Sequence, residues 1–80
     1  MLDELSSAKK VVGIKQLRRA LSSGIVRKVF LAEDADPRLT DPLADACFAQ
    51  DVSLEFIPAM KELGAACGID VGAAAAGILR

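Results

Sequence analysis

The sequence predicts an α/β protein: a three-layer α/β/α sandwich around a small, about four-stranded mixed sheet. Three observations predict it. Helix-like and strand-like stretches alternate along the chain, the pattern of a mostly parallel or mixed sheet covered on both faces. Val29–Ala32 is apolar without interruption, as a central strand buried on both sides must be. The stretch near Gly72–Leu79 is mostly Ala and Gly, small enough for helices to pack close on the sheet.

The elements follow in order. Leu2–Ala8 reads as a short opening helix with Leu2 and Leu5 on one side, and Val11-Val12 as a brief extended piece. Gly13 breaks it, and Ile14–Ser22 has helical spacing. Ile14, Leu17, Ala20 and Leu21 fall on one face, with Lys15, Gln16, Arg18 and Arg19 on the rest. Ser23-Gly24 ends that helix. Val26–Ala32 is the next strand. Asp36-Pro37 and Asp41-Pro42 each match an N-cap followed by Pro at the first helical position. The expectation is a turn at Pro37–Thr40 and then a helix to Gln50. Val52–Ile57 alternates, with Val52, Leu54 and Phe56 on one side and Ser53 and Glu55 on a wetter one, as suits a strand nearer an edge. Pro58 opens a helix to Cys67, capped by a left-handed Gly68, and Gly72–Leu79 is the last strand. No linker or internal repeat divides residues 1–80, so one domain is expected.

Composition narrows the function. The 52% apolar content argues for a packed globule and against a disordered tail. Three Phe and no Trp or Tyr mean an aliphatic core and no aromatic platform on which single-stranded bases could stack. There is no His, and Cys47 and Cys67 stand alone in Ala-rich surroundings, so no zinc site can be assembled. No signal peptide precedes the domain and the longest apolar run, Val71–Leu79, is too short for a bilayer; a cytoplasmic protein with reduced thiols is expected. Carboxylates without His, a reactive Cys setting or a metal make a poor catalytic set, so no enzyme activity, cofactor or metal is expected. The acidic group Glu33, Asp34 and Asp36 is better explained by helix capping at Asp36 and solvated charge than by Mg²⁺.

The net charge of −1 hides an asymmetry. Residues 1–31 carry seven basic side chains against Asp3 and Glu4, a surplus of five positive charges. Residues 32–60 carry Arg38 against seven acids, a surplus of six negative ones, and residues 61–80 balance. A basic third can attract phosphate while the whole stays near neutral, although segregated surface charge alone produces the same pattern.

Two segments hold the functional signal. At Gly13–Leu21, a helix start offers unpaired N–H groups, and Gly13 allows close backbone approach. Lys15 and Arg19 share a face, with Gln16 beside Arg19. Such a face suits phosphates and base edges, and equally suits plain solvation. The single glycine matches no nucleotide-binding loop signature. At Lys61–Gly72, Gly64 sits inside a helix, where it costs about 1 kcal/mol relative to Ala. Close packing on the sheet or approach of a ligand has to offset that. Ile69 and Val71 then lie either on an exposed loop tip or buried at the start of the last strand.

Read together, Gly13-Ile14-Lys15-Gln16, Arg19-Ala20-Leu21, Ala35-Asp36-Pro37, Leu63-Gly64 and Ala66-Cys67-Gly68-Ile69, with Val71 and Ala73–Ala76, resemble the ribosomal protein L7Ae, L30e and S12e family of kink-turn RNA-binding proteins. The likeness covers essentially the whole chain and is nearest to the family's small bacterial members. It implies an α/β/α sandwich and a non-enzymatic protein that binds a sharply bent RNA with tandem sheared G·A pairs. It implies that Gly13 and Ile14 open the contact, that Lys15 and Gln16 meet guanine edges, and that Arg19 meets phosphates and the bulge. It further implies that Ile69, Asp70 and Val71, with Met60 and Lys61 nearby, cover the extruded bulge nucleotide. The chain departs from the archaeal and eukaryotic pattern: Lys15-Gln16 replace Asn-Glu, Ile14 stands where Thr or Ala is common, and Val71 stands where Arg is frequent. The expected partner is a structured ribosomal or regulatory RNA, with the ribosome as a host, no membrane, and a monomeric state. The alternative is a protein–protein adaptor on the same fold, working through the acidic third.

Overall fold

The computed structural model describes residues 9–80. Its order is β1 (Lys10–Val12), α1 (Ile14–Ser22), β2 (Val26–Ala32), α2 (Pro37–Gln50), β3 (Ser53–Ile57), α3 (Met60–Ala66) and β4 (Ala75–Leu79). The helix expected at Leu2–Ala8 lies outside the described residues. The four strands form one mixed sheet in the order β1-β4-β2-β3. β2 runs parallel to β3, while β4 lies antiparallel between β1 and β2.

Alternation along β2 sends Val29 and Leu31 to one face and Phe30 and Ala32 to the other, and all four are buried. On the first face lie α1 and α2, through Leu17, Ala20, Leu21, Leu43 and Cys47. On the second lies α3, through Leu63 and Cys67 against Phe30, Ile57 and Ala76. These are the three layers the sequence predicts, with β2 central. The small residues of β4 work as expected: a Cβ at Gly77 would run into the Leu17 side chain.

Several boundaries differ from expectation, each for a local reason. Pro37–Thr40 is no separate turn but the first turn of α2. Asp36 is its N-cap, and Pro37 occupies the first helical position. Pro42 is exposed, so its ring and missing N–H disturb the outer side of the helix and not the packed one. Helix α3 begins at Met60 and not at Pro58, because Ala59 is extended and serves as N-cap. β4 begins at Ala75 and not at Gly72, because Gly72 and Ala73 are held against Met60. In β3, Leu54 is half-buried as expected but Phe56 is 53% exposed, since β3 is an edge strand and a groove separates Phe56 from the start of α2.

Candidate nucleic-acid interface

β1, β2 and β3 all run antiparallel or next-but-one to the reversed β4, so they point the same way, and each is followed by a helix. The N-termini of α1, α2 and α3 therefore gather at one end of the sheet. Helix N-termini attract negative charge, so capping decides which of them stays open. At α2, the Arg38 N–H donates to Asp36 Oδ1 at 2.9 Å. At α3, the Met60 N–H donates to Asp34 Oδ1 at 2.8 Å, although the two residues are far apart in sequence. At α1 the N-cap is Gly13, with no side-chain cap. Among the described residues, the first N–H groups of α1 thus lack the acidic partner that each of the other two helices has.

Gly13 is fixed by its backbone. Its φ of 104° and ψ of 155° form a combination essentially reserved for glycine. Its N–H donates to the Ala75 carbonyl at 2.8 Å, and its carbonyl accepts from the Leu17 N–H at 3.0 Å. Among the described residues, no atom beyond its two chain neighbours lies within 4 Å of where a Cβ would stand, so the backbone is open on that side. Ile14 is half-buried against the core, while Lys15, Gln16, Arg18 and Arg19 are exposed. Among the described residues, no carboxylate pairs with Lys15, Arg18 or Arg19.

The second segment folds back on its own helix. Gly68, at φ 81°, reverses the chain, and the Ile69 N–H donates to the Gly64 carbonyl at 3.1 Å. The Ala73 N–H then donates to the Met60 carbonyl at 2.9 Å. The loop backbone at Val71 crosses directly over Gly64, where a Cβ would collide with the Val71 carbonyl. Gly64 therefore makes room for its own loop, and neither the sheet nor a ligand is what presses on it. Ile69 and Val71 stand on the loop tip, 36% and 70% exposed, with Asp70 exposed between them. Lys61 is exposed and Met60 half-buried beneath the loop. Ala73 bonds Met60, and Ala75, two residues on, bonds Gly13. The two segments, distant in sequence, are thus brought side by side.

The acidic group divides into structural tasks. Asp34 caps α3. Asp36 caps α2 and pairs with Arg38, whose side chain and backbone N–H hold the Asp36 carboxyl below its usual pKa; Asp36 in turn raises the Arg38 guanidinium. Among the described residues no cluster of His, Cys, Asp or Glu is arranged to hold a metal. Burial pushes both the Cys47 and Cys67 thiols up, with Lys10 partly opposing this at Cys67. Sequence reasoning missed the task of Asp34: a cap donated from another element leaves no local spacing to read. Among the described residues, no helix is long and apolar enough to cross a membrane.

Comparison with known proteins agrees with this architecture. The family model described as the Ribosomal protein L7Ae/L30e/S12e/Gadd45 family matches residues 2–80. An RNA-binding protein of Geobacillus sp. (strain WCH70) is 46% identical over 76 residues, covering 95% of this chain and 93% of the relative. The RNA-binding protein YbxF of Geobacillus stearothermophilus is 43% identical over 76 residues, covering 95% and 93%. The solved structure of the Giardia lamblia 15.5kD RNA binding protein superposes with a TM-score of 0.87 at 28% identity, covering 99% of this chain and 68% of that one. An uncapped helix start beside an exposed apolar loop tip, on this sheet order and with these relatives, places the chain in the L7Ae/L30e/S12e/Gadd45 family.

Proposed function

We propose that this chain is a non-enzymatic, cytoplasmic RNA-binding module that recognises kink-turns in ribosomal or regulatory RNA and stabilises their bent form. The observation that carries the reading is the uncapped N-terminus of α1, with Lys15, Gln16 and Arg19 exposed beside it and the loop tip at Ile69–Val71 next to it. Gln16 offers both a donor and an acceptor to a guanine edge, while Lys15 and Arg19 neutralise phosphates. Ile69 and Val71 give an extruded base an apolar cover, held in place by the backbone bonds to Gly64 and Met60. Gly13 and Ile14 let the RNA approach the α1 N–H groups, and Met60, Lys61 and Asp70 complete the contact at the loop. Binding the bent RNA better than the extended one shifts the population toward the bend. The relatives named as RNA-binding proteins support the class of ligand.

The test is titration of the protein against a kink-turn RNA and against a version with both G·A pairs replaced by Watson–Crick pairs. Tight binding to the first alone is expected. Equal binding to both, or none to either, would overturn the reading.

A further inference from the structure

Apart from Met60 at its end, the acidic third of the chain has no part in the RNA reading, and it carries a surface of its own. One flank of α2 presents Pro37, Asp41, Ala44 and Phe48 at helical spacing. The opposite flank faces α1, where the Gln50 side chain donates to the Leu21 carbonyl at 2.9 Å. The first flank overhangs the edge strand β3. At one end a groove of about 300 Å³ lies between Pro37, Thr40 and Asp41 on α2 and Phe56 on β3. At the other end the Val52 N–H donates to the Cys47 carbonyl, joining the end of α2 to the start of β3.

Phe48 is 78% exposed and Phe56 53%, although the chain has only three Phe and buries the third, Phe30, completely. Glu33 and Asp41 rim the groove and Asp45 is exposed one turn along α2. Among the described residues no cation pairs with any of these three. β3 is at the end of the sheet, so the outward half of its backbone N–H and C=O groups pairs with no strand among the described residues. Free strand-edge groups, exposed rings and unpaired carboxylates are complementary to an extended peptide with apolar and cationic side chains. The carboxylates among them repel nucleic acid.

We infer that the groove between α2 and the β3 edge docks an extended cationic segment of a protein partner, which pairs with β3, sets one apolar side chain against Phe56 in the groove and another against Phe48 at the far end of the α2 flank, and sets Lys or Arg against Asp41, Asp45 and Glu33. The inference stands whether or not the chain binds kink-turns.

The probe is a blocked peptide in which Thr alternates with Arg, Val and Arg, so that one strand face is Thr and the other mixed. Its twin carries Glu in place of Arg. Binding is followed by fluorescence anisotropy and mapped by amide chemical shifts. The Arg peptide is expected to bind at least about tenfold more tightly than its twin, with shifts confined to 33, 37–48 and 53–57. The double variant Phe56→Ser with Asp41→Lys is expected to lose that binding at an unchanged unfolding midpoint and unchanged RNA affinity. Equal binding of the two peptides would overturn the inference, as would shifts scattered over all acidic residues. Concentration-dependent dimerisation abolished by Phe56→Ser would overturn it too, since the occupant would then be a second copy.

Discussion

Single residues carry the separation between holding the fold and the proposed RNA contact. Leu17, Ala20 and Leu21 hold α1 to the sheet, while Gln16 and Arg19 on the same helix are exposed. Replacing both with Ala (Gln16→Ala with Arg19→Ala) is therefore expected to abolish kink-turn binding and leave the unfolding midpoint in place. Retained tight binding in the titration would move the interface elsewhere. Gly64 is the converse case, buried and far from any side-chain chemistry. Ala there is favoured by helix propensity by about 1 kcal/mol, but its Cβ meets the Val71 backbone, which cannot swing aside as a side-chain tip does. Gly64→Ala is expected to destabilise the protein by about 1–3 kcal/mol, or to displace the loop, and in either case to weaken RNA binding. Thermal unfolding together with an RNA titration checks this, and a variant equal to the parent in both would mean that the loop does not depend on that contact.

At the scale of elements, the three helix starts form an internal comparison. Asp34→Ala removes the partner of the first N–H of α3, with an expected loss of about 1 kcal/mol. Denaturant unfolding measures the loss, and no change in midpoint would show that the cap contributes nothing. How much of this was legible in the sequence follows from the range of each determinant. The span Ile14–Ser22 and its buried face follow from spacing alone, and Val26–Ala32 from an apolar run between turn residues; both match the structure. The candidate residues at the start of α1 could be named because a glycine break followed by a polar face is a local pattern. Pro58 misled because proline opens helices often, while the actual start is chosen by Asp34, twenty-six positions earlier. The reason for Gly64 was equally invisible, because it lies in the path of residues 69–72, which only the folded chain reveals. Phe56 looked like core because alternation does not tell how closely a covering helix packs on an edge strand.

On the scale of the whole molecule, charge is divided between faces. α1 presents Lys15, Arg18 and Arg19, and the groove beside β3 presents Glu33, Asp41 and Asp45. A protein with a net charge of −1 can still bind RNA strongly if the polyanion meets only the first set. Its affinity should then fall steeply with salt, each phosphate contact adding roughly 0.7–0.9 to the slope of log affinity against log salt. Arg19→Ala is expected to flatten that slope by about one unit. Titrations at several salt concentrations decide it, and an unchanged slope would remove Arg19 from the phosphate contacts.

The position of β4 bears on how this protein comes into being. It is the last of the described elements along the chain, yet it lies in the interior of the sheet and joins β1 to β2. As the polypeptide is synthesised, β2 and β3 can pair early, but β1 meets its partner strand β4 only when residues 75–79 emerge. The Gly13 N–H waits for the same moment, because its acceptor is the Ala75 carbonyl. The proposed RNA surface is thus complete only once β4 is in place, and a growing chain cannot offer it whole to RNA before translation has passed β4.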